Sequence, residues 1–274
     1  MKLRKVLSVY KHRYFPSVPK THKVQLLGKE FVVLQGTIRS EDKDDAWYFA
    51  LVKNHNRIFD LGANIGYTSI LASFFDSDKV VVLADPNPDA LAMASGNLIR
   101  NGLSINKQFV PAFVSDKCGE KVKFYTVGIG EAGSMFASAA ESARLTNSFY
   151  LVDTLTVDEI VKRTSVQPDF IKVDVEGAEH LVLNGAVELA KERQTTFFVE
   201  MHAVPELTME QNATHVLNWC AANNYKAYYL KEHQHITEAK TIAHRGKCHL
   251  LLIPDEKAYP EYLTEIQEGG KLTL

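Results

Sequence analysis

The chain has 274 residues, 46% hydrophobic and 23% charged, a globular composition that excludes disorder as its main state and has room for one large domain or two small ones. Thirty-one basic residues against 33 acidic ones leave a net charge of −2, so no overall positive field draws the molecule to a polyanion, and no nucleic-acid partner is expected. The longest apolar runs, such as Val80–Ala84 and Phe197–Val199, fall far short of the ~20 residues of a transmembrane helix, so no transmembrane segment is expected.

From Met1 to Val24 there are seven Lys or Arg and no acid, which reads either as a solvated basic leader or as a contact for anionic lipid or nucleic acid. The apolar stretch after Met1 is broken by Tyr10, Lys11 and His12 before it reaches signal-peptide length, and the expected compartment is the cytoplasm. Cys118, Cys220 and Cys248 are odd in number and lack metal-ligand spacing, which fits buried thiols without a disulfide. Lys23–Leu34 alternates around Gly28-Lys29 as a hairpin, and Asp44–Lys53 reads as a helix with Trp47, Ala50 and Leu51 on one face. These elements make residues 1–54 an N-terminal extension and 55–274 the main domain.

Within that domain strands and helices alternate. Strands are expected at Arg57–Leu61, Lys79–Ala84, Gln108–Val114, Phe170–Val173, Thr195–Met201, Tyr225–Leu230 and Lys247–Ile253. Helices are expected at Tyr67–Phe75, Pro88–Asn101, Val157–Thr164, Ala178–Arg193 and Glu210–Asn223. Such alternation implies an α/β, doubly wound, Rossmann-like sheet with helices on both faces and ligands at the C-terminal strand ends. The small-residue stretch Gly128–Phe149 reads either as a lid over a substrate or as an ordinary surface helix.

The first of these strands ends in Asp60-Leu61-Gly62-Ala63-Asn64-Ile65-Gly66 and runs straight into a helix, a turn where small residues and free N–H groups let a nucleotide approach. The spacing is not the G-x-G-x-x-G of a dinucleotide site, and Asp60 would repel a pyrophosphate while accepting from an ammonium group. This favours S-adenosylmethionine over a nicotinamide cofactor. Asp85 ends the second strand 23 residues after Gly62, where it would accept ribose hydroxyls or cap the helix that follows. Asp116, after the third strand, suits an adenine amino group or a plain turn.

The fourth and fifth strands end in Lys172-Val173-Asp174-Val175-Glu176-Gly177-Ala178-Glu179 and Val199-Glu200-Met201-His202. Lys172 offers an ion-pair partner, and Glu179 and His180 are also suited to starting a helix. Yet three acids and a histidine exceed what one lysine neutralises, which points to chemistry. His233-x-His235, His244 and His249 read as surface or core histidines rather than a zinc site.

Together the Asp60–Gly66 turn, Asp85-Pro86-Asn87-Pro88, the Lys-x-Asp-x-Glu-Gly-x-Glu block at 172–179 and Glu200-Met201-His202 resemble the FkbM family of S-adenosylmethionine-dependent methyltransferases, over about residues 55 to 255. The resemblance implies a class I methyltransferase fold, with a mostly parallel seven-stranded sheet whose last strand is reversed, and O-methylation of hydroxyls on small molecules or glycans. Asp85 departs from the glutamate more usual there. On this reading Asp60, Gly62, Ala63, Asn64, Gly66 and Asp85 hold the cofactor, with Asp116 at the adenine. His202 is the first candidate base and Asp174 the second, while Asp174, Glu176 and Glu200 orient the acceptor. A Mg²⁺ ion between Asp174 and Glu200 is an alternative way to activate it. The alternatives are a nucleic-acid methyltransferase, which commonly carries an aromatic where Asp174-Val175-Glu176 stands, and a non-catalytic S-adenosylmethionine-binding or scaffold protein, against which the retained acids argue.

Overall fold

In the computed structural model, residues 20–38, 45–126, 133–136 and 147–274 are described. Most of the basic leader, Asp44 and most of Gly128–Phe149 lie outside them.

Strands β1 (Thr21–Leu26) and β2 (Lys29–Leu34) form the expected hairpin. Its tip is Leu27-Gly28, at φ 47° and 79°, the left-handed pair a two-residue turn requires. The hairpin docks on helix α3 (Pro88–Arg100) and the residue after it. Asn97 Oδ1 accepts from Leu34 N and Asn101 Oδ1 from Val32 N, each at 2.8 Å, so two asparagines pair with β2 as a neighbouring strand would.

After helix α1 (Asp45–Lys53), the main sheet is built from β3 (Arg57–Leu61), β4 (Val80–Asp85), β5 (Lys107–Pro111), β9 (Phe170–Val173), β10 (Thr196–His202), β11 (Tyr225–Tyr229), β12 (Gln234–Ile236) and β13 (Lys247–Pro254). Their order is β12-β11-β13-β10-β9-β3-β4-β5. From β10 to β5 neighbours run parallel, and β13 is antiparallel to both β10 and β11. The expected reversed strand is there, but the sheet has eight strands rather than seven, because short β12 adds to the edge of β11.

Side chains alternate across this sheet with the strand period of two. Phe59, Val82, Ile171, Val199 and Leu252 face one core, with helices α4 (Val157–Thr164), α5 (Glu179–Asn184), α6 (Val187–Lys191) and α7 (Met209–Asn223) on that side. Ile58, Val81, Phe170, Phe198 and Leu251 face the other, against α1, α2 (Tyr67–Ala72), α3 and the hairpin. The same parity puts Asp60, Lys172, Glu200 and His249 on this second face, where Asp60 pairs with Lys172 and Glu200 with His249 in register.

Three expected elements are interrupted. The strand over Gln108–Val114 stops at Pro111, and Phe113–Val114 (β6) turns away to pair with β8 (Phe149–Leu155). With β7 (Lys121–Tyr125) these form a small second sheet, β6-β8-β7, that the sequence reading did not anticipate. The helix over Ala178–Arg193 breaks into α5 and α6 near Gly185, a position that excludes a β-carbon because the backbone carbonyl of Ser115 approaches it. The helix over Tyr67–Phe75 ends at Ala72. Of the cysteines, all free, Cys220 and Cys248 are buried but Cys118 is exposed. No helix among the described residues is long and apolar enough to cross a membrane.

Candidate active site

The sheet order reverses between β3 and β9, and a cleft opens there at the C-terminal strand ends, as an open α/β sheet dictates. It measures about 640 Å³ out to its open mouth, and Gly62, Asn64, Asp85, Asn87, Ala112, Phe113, Val114, Asp174 and Glu176 are among the residues that line it. Gly62 and Gly66 take φ of 82° and 85°, and Asn64 is also left-handed at 47°. This turn aims Asn64 N at Asp85, whose Oδ2 accepts it at 2.8 Å, while Oδ1 accepts from Asn87 N at 2.8 Å. The cap of α3 is Asn87, accepting from Asp89 N and Ala90 N, so Asp85 is left to the cleft. Burial raises the Asp85 carboxyl to about 6, against the two backbone donors that lower it. Asn64 Oδ1 is buried and without a hydrogen-bond partner among the described residues, an acceptor at the cleft wall that awaits a donor.

Asp60 is arranged differently. It is fully buried, and its Oδ2 accepts from Thr68 Oγ1 at 2.7 Å and Ser69 Oγ at 2.6 Å, tying the turn to the first residues of α2. Lys172 Nζ lies 3.7 Å from its other oxygen. Asp60, Ala63, Gly66, Asp116, Glu200 and His202 stand outside the residues that line the cleft, and Asp116 accepts from its neighbour Ser115 Oγ at 3.1 Å.

The far end of the cleft is acidic. Lys172 Nζ donates to Asp174 Oδ2 at 3.0 Å. Burial opposes the lysine's charge, but Asp174, Asp60 and Glu200 outweigh it and hold the ammonium protonated. Burial first, then the nearby Glu200, raises the Asp174 carboxyl. Glu176 sits in a left-handed turn at φ 54° and its carboxyl is pushed up to about 7 by burial, although the neighbouring His202 works to lower it. His202 is held on both sides, Nδ1 at 3.1 Å from Glu179 Oε1 and Nε2 at 3.1 Å from Glu200 Oε1. Burial alone would lower its pKa, but those two carboxylates push it up to about 12, so the ring is an imidazolium at neutral pH. Glu200 also pairs with Lys247, and its burial is outweighed by His202 and His249, which hold it well below the usual carboxylate range.

The sequence profile described as the Methyltransferase FkbM domain matches residues 60–227, more than half of the chain. The chain belongs to the FkbM methyltransferase family. Among solved structures, it is similar to the FkbM methyltransferase of Methylobacillus flagellatus KT, at 17% identity and a TM-score of 0.45, covering 72% of this chain and 43% of that one. The chain thus spans less than half the length of that relative. It is also similar to M. jannaschii TYW2 in complex with AdoMet, at 11% identity and TM-score 0.43, over 86% of this chain and 85% of that one. A SAM-dependent methyltransferase from Agrobacterium tumefaciens matches at 12% identity and TM-score 0.44, over 88% and 72%. No curated protein matches the sequence.

In this FkbM chain the ligating atoms of Asp174, Glu200 and His202 lie within 4.8 Å of one another. A dication there would have to displace cationic groups already in place, Lys172 at Asp174 and Lys247 and His202 at Glu200. Two members of the cluster escaped the sequence reading as site residues. Lys247 enters from the reversed strand as the register partner of His202, a pairing no local pattern reveals. Glu179 reads as a helix-starting acid and does start α5, yet its carboxylate turns back to His202.

Proposed function

We propose that this chain transfers a methyl group from S-adenosylmethionine to a hydroxyl oxygen of a small molecule or glycan. The observation that carries this is one cleft with two unlike ends: Asn64 Oδ1 and the Asp85 carboxylate beside the Gly62 turn, and the Asp174 and Glu176 carboxylates beyond it. The first end offers acceptors where a nucleoside presents hydroxyl and amino donors, and Ala112, Phe113 and Val114 give an apolar wall for a flat base. No lysine or arginine lines the cleft among the described residues, which suits a cationic ligand and not a pyrophosphate.

When bound, S-adenosylmethionine supplies an electrophilic methyl group on its sulfonium. Asp174, held by Lys172, orients the acceptor hydroxyl in line with that methyl, and such alignment contributes ~7–11 kcal/mol. As that methyl was transferred, the hydroxyl proton would pass to Glu176, whose raised pKa suits a base near neutrality. His202, already protonated and held by two carboxylates, does not serve as that base; it presents its positive charge 3.6 Å from Glu176 Oε2.

Calorimetric titration with S-adenosylhomocysteine, next to an Asp85→Ala control, is the first test, followed by transfer of labelled methyl to hydroxylated sugars and lipids. Micromolar binding lost in the control supports the reading. A folded protein that binds no S-adenosylhomocysteine defeats it.

A further inference from the structure

Glu179 is the most enclosed acid of the cluster, fully buried in the first turn of α5 and outside the residues that line the cleft. Its Oε1 accepts from Gly177 N at 2.8 Å and from His202 Nδ1 at 3.1 Å, and its Oε2 accepts from Asn212 Nδ2 at 2.8 Å. Asn212 Nδ2 also donates to the His202 carbonyl at 3.1 Å, so α7 braces both the carboxylate and the end of β10. We infer that Glu179 is a positioning residue that sets the His202 ring and, at the cleft, the Glu176 carboxylate.

Two independent linkages lead from it. Through Gly177 N it pins a turn in which Glu176 and Gly177 are both left-handed, at φ 54° and 104°, a conformation that costs a non-glycine residue and persists only where its surroundings impose it. Side-chain Ser134 Oγ, donating to the Glu176 carbonyl at 3.0 Å, holds the same turn from the other side. Through Nδ1 the carboxylate fixes the imidazole plane, and with it the direction of Nε2 toward Glu200 Oε1 and Glu176 Oε2. The charged groups that meet the ring are Glu179 from α5, Glu200 from β10, and Glu176 and Asp174 from the segment after β9, with Lys247 of β13 acting on Glu200. Removing the charge of Glu179 takes away one of the ring's two close anions and its only partner at Nδ1 among the described residues. A buried carboxylate that served α5 alone would accept only from backbone N–H groups at that helix end; this one also accepts from His202 Nδ1 and Asn212 Nδ2.

The kinetic consequence rests on the methyl-transfer reading, but the structural one does not. Nitrogen-15 NMR of the wild-type ring at pH 8 is expected to show His202 protonated on both nitrogens, and Glu179→Gln to shift the ring's titration to lower pH by at least one unit. In turnover, Glu179→Gln is expected to lower kcat at least tenfold while S-adenosylhomocysteine affinity changes less than threefold. A wild-type ring that is neutral at pH 8 overturns the assignment, and this measurement needs no variant to fold. An unshifted ring in folded Glu179→Gln, or equal losses of kcat and of S-adenosylhomocysteine affinity, also overturns it. Ring behaviour as expected in a protein that binds no S-adenosylhomocysteine defeats the methyl-transfer reading and leaves the positioning by Glu179 standing.

Discussion

The backbone carbonyl of Asp174 occupies the place where a β-carbon on Gly62 would sit, so the cofactor end and the acidic end of the cleft touch through main chain. Gly62 is thus required twice, by its φ of 82° and by the approach of the Asp174 backbone just after β9. Gly62→Ala is expected to lose about 2–6 kcal/mol of stability, left-handed strain plus displaced backbone. Gly28→Ala, at φ 79° with nothing within 4 Å, should lose only the strain, about 1–2 kcal/mol. Paired urea titrations check this; equal losses at the two positions would show that the contact between the cleft's halves is unimportant.

Asp85 gives a pH signature. Burial lifts its pKa from 3.8 to about 6, and hydroxyl donors from a bound ligand favour the ionised form. S-adenosylhomocysteine affinity should therefore be flat above pH 7 and fall as the pH drops below about 6. Folding carries the opposite sign: a carboxyl whose folded pKa lies above its unfolded one binds its proton more tightly when native, so this residue's contribution to stability improves as pH falls from about 6 toward 4. Asp85→Asn supplies one acceptor oxygen for two backbone donors and no charge, and affinity should fall about 10- to 100-fold. Calorimetry across pH 5–8 on both proteins decides it; the same pH dependence in the variant would place the titrating group elsewhere.

The parts of this arrangement that were legible in the sequence are those coded locally. Strand and helix alternation, the Gly62 turn and the acids at 174, 176 and 200 all follow from short-range pattern, and each lies where a doubly wound sheet puts it. What escaped depends on pairing across distance. Lys247 reaches Glu200 because β13 inserts, reversed, beside β10, and β8 pairs with β6 and β7 rather than with the main sheet. His202 invites reading as a base because histidine titrates near neutrality, but two carboxylates, one of them on α5, hold its proton. Asp60 looks like a ligand group from its place before the glycine, and its oxygens face Thr68, Ser69 and Lys172.

Glu176, with a pKa of about 7, should impose a limb on the rate profile in which kcat rises with pH through neutrality. Glu176→Gln is expected to cut kcat about a hundredfold or more and to remove that limb, with S-adenosylhomocysteine affinity little changed. His202→Gln keeps a polar side chain but loses the cation, so its Glu176 neighbour should titrate at higher pH and the limb should move up rather than vanish. A limb that disappears in His202→Gln and persists in Glu176→Gln would return the base role to the histidine.

Lys172 holds the buried face of the sheet in charge balance. Its side chain is 4% exposed, with Asp60 3.7 Å away at 0% and Asp174 3.0 Å away at 24%. Replacing it by methionine removes the cation and leaves two carboxylates without their shared partner, a loss of about 3–5 kcal/mol for a broken buried pair. Because the destabilisation comes from the stranded charge and not from a lost favourable contact, adding Asp60→Asn should restore a large part of it; the amide oxygen, in the place of Oδ2, still accepts from both α2 hydroxyls. The coupling between the two sites, read from urea midpoints of the singles and the double, should be about 1–3 kcal/mol in the stabilising direction. Additive losses would mean that Asp60 is balanced by its hydroxyl donors alone and that Lys172 serves only Asp174.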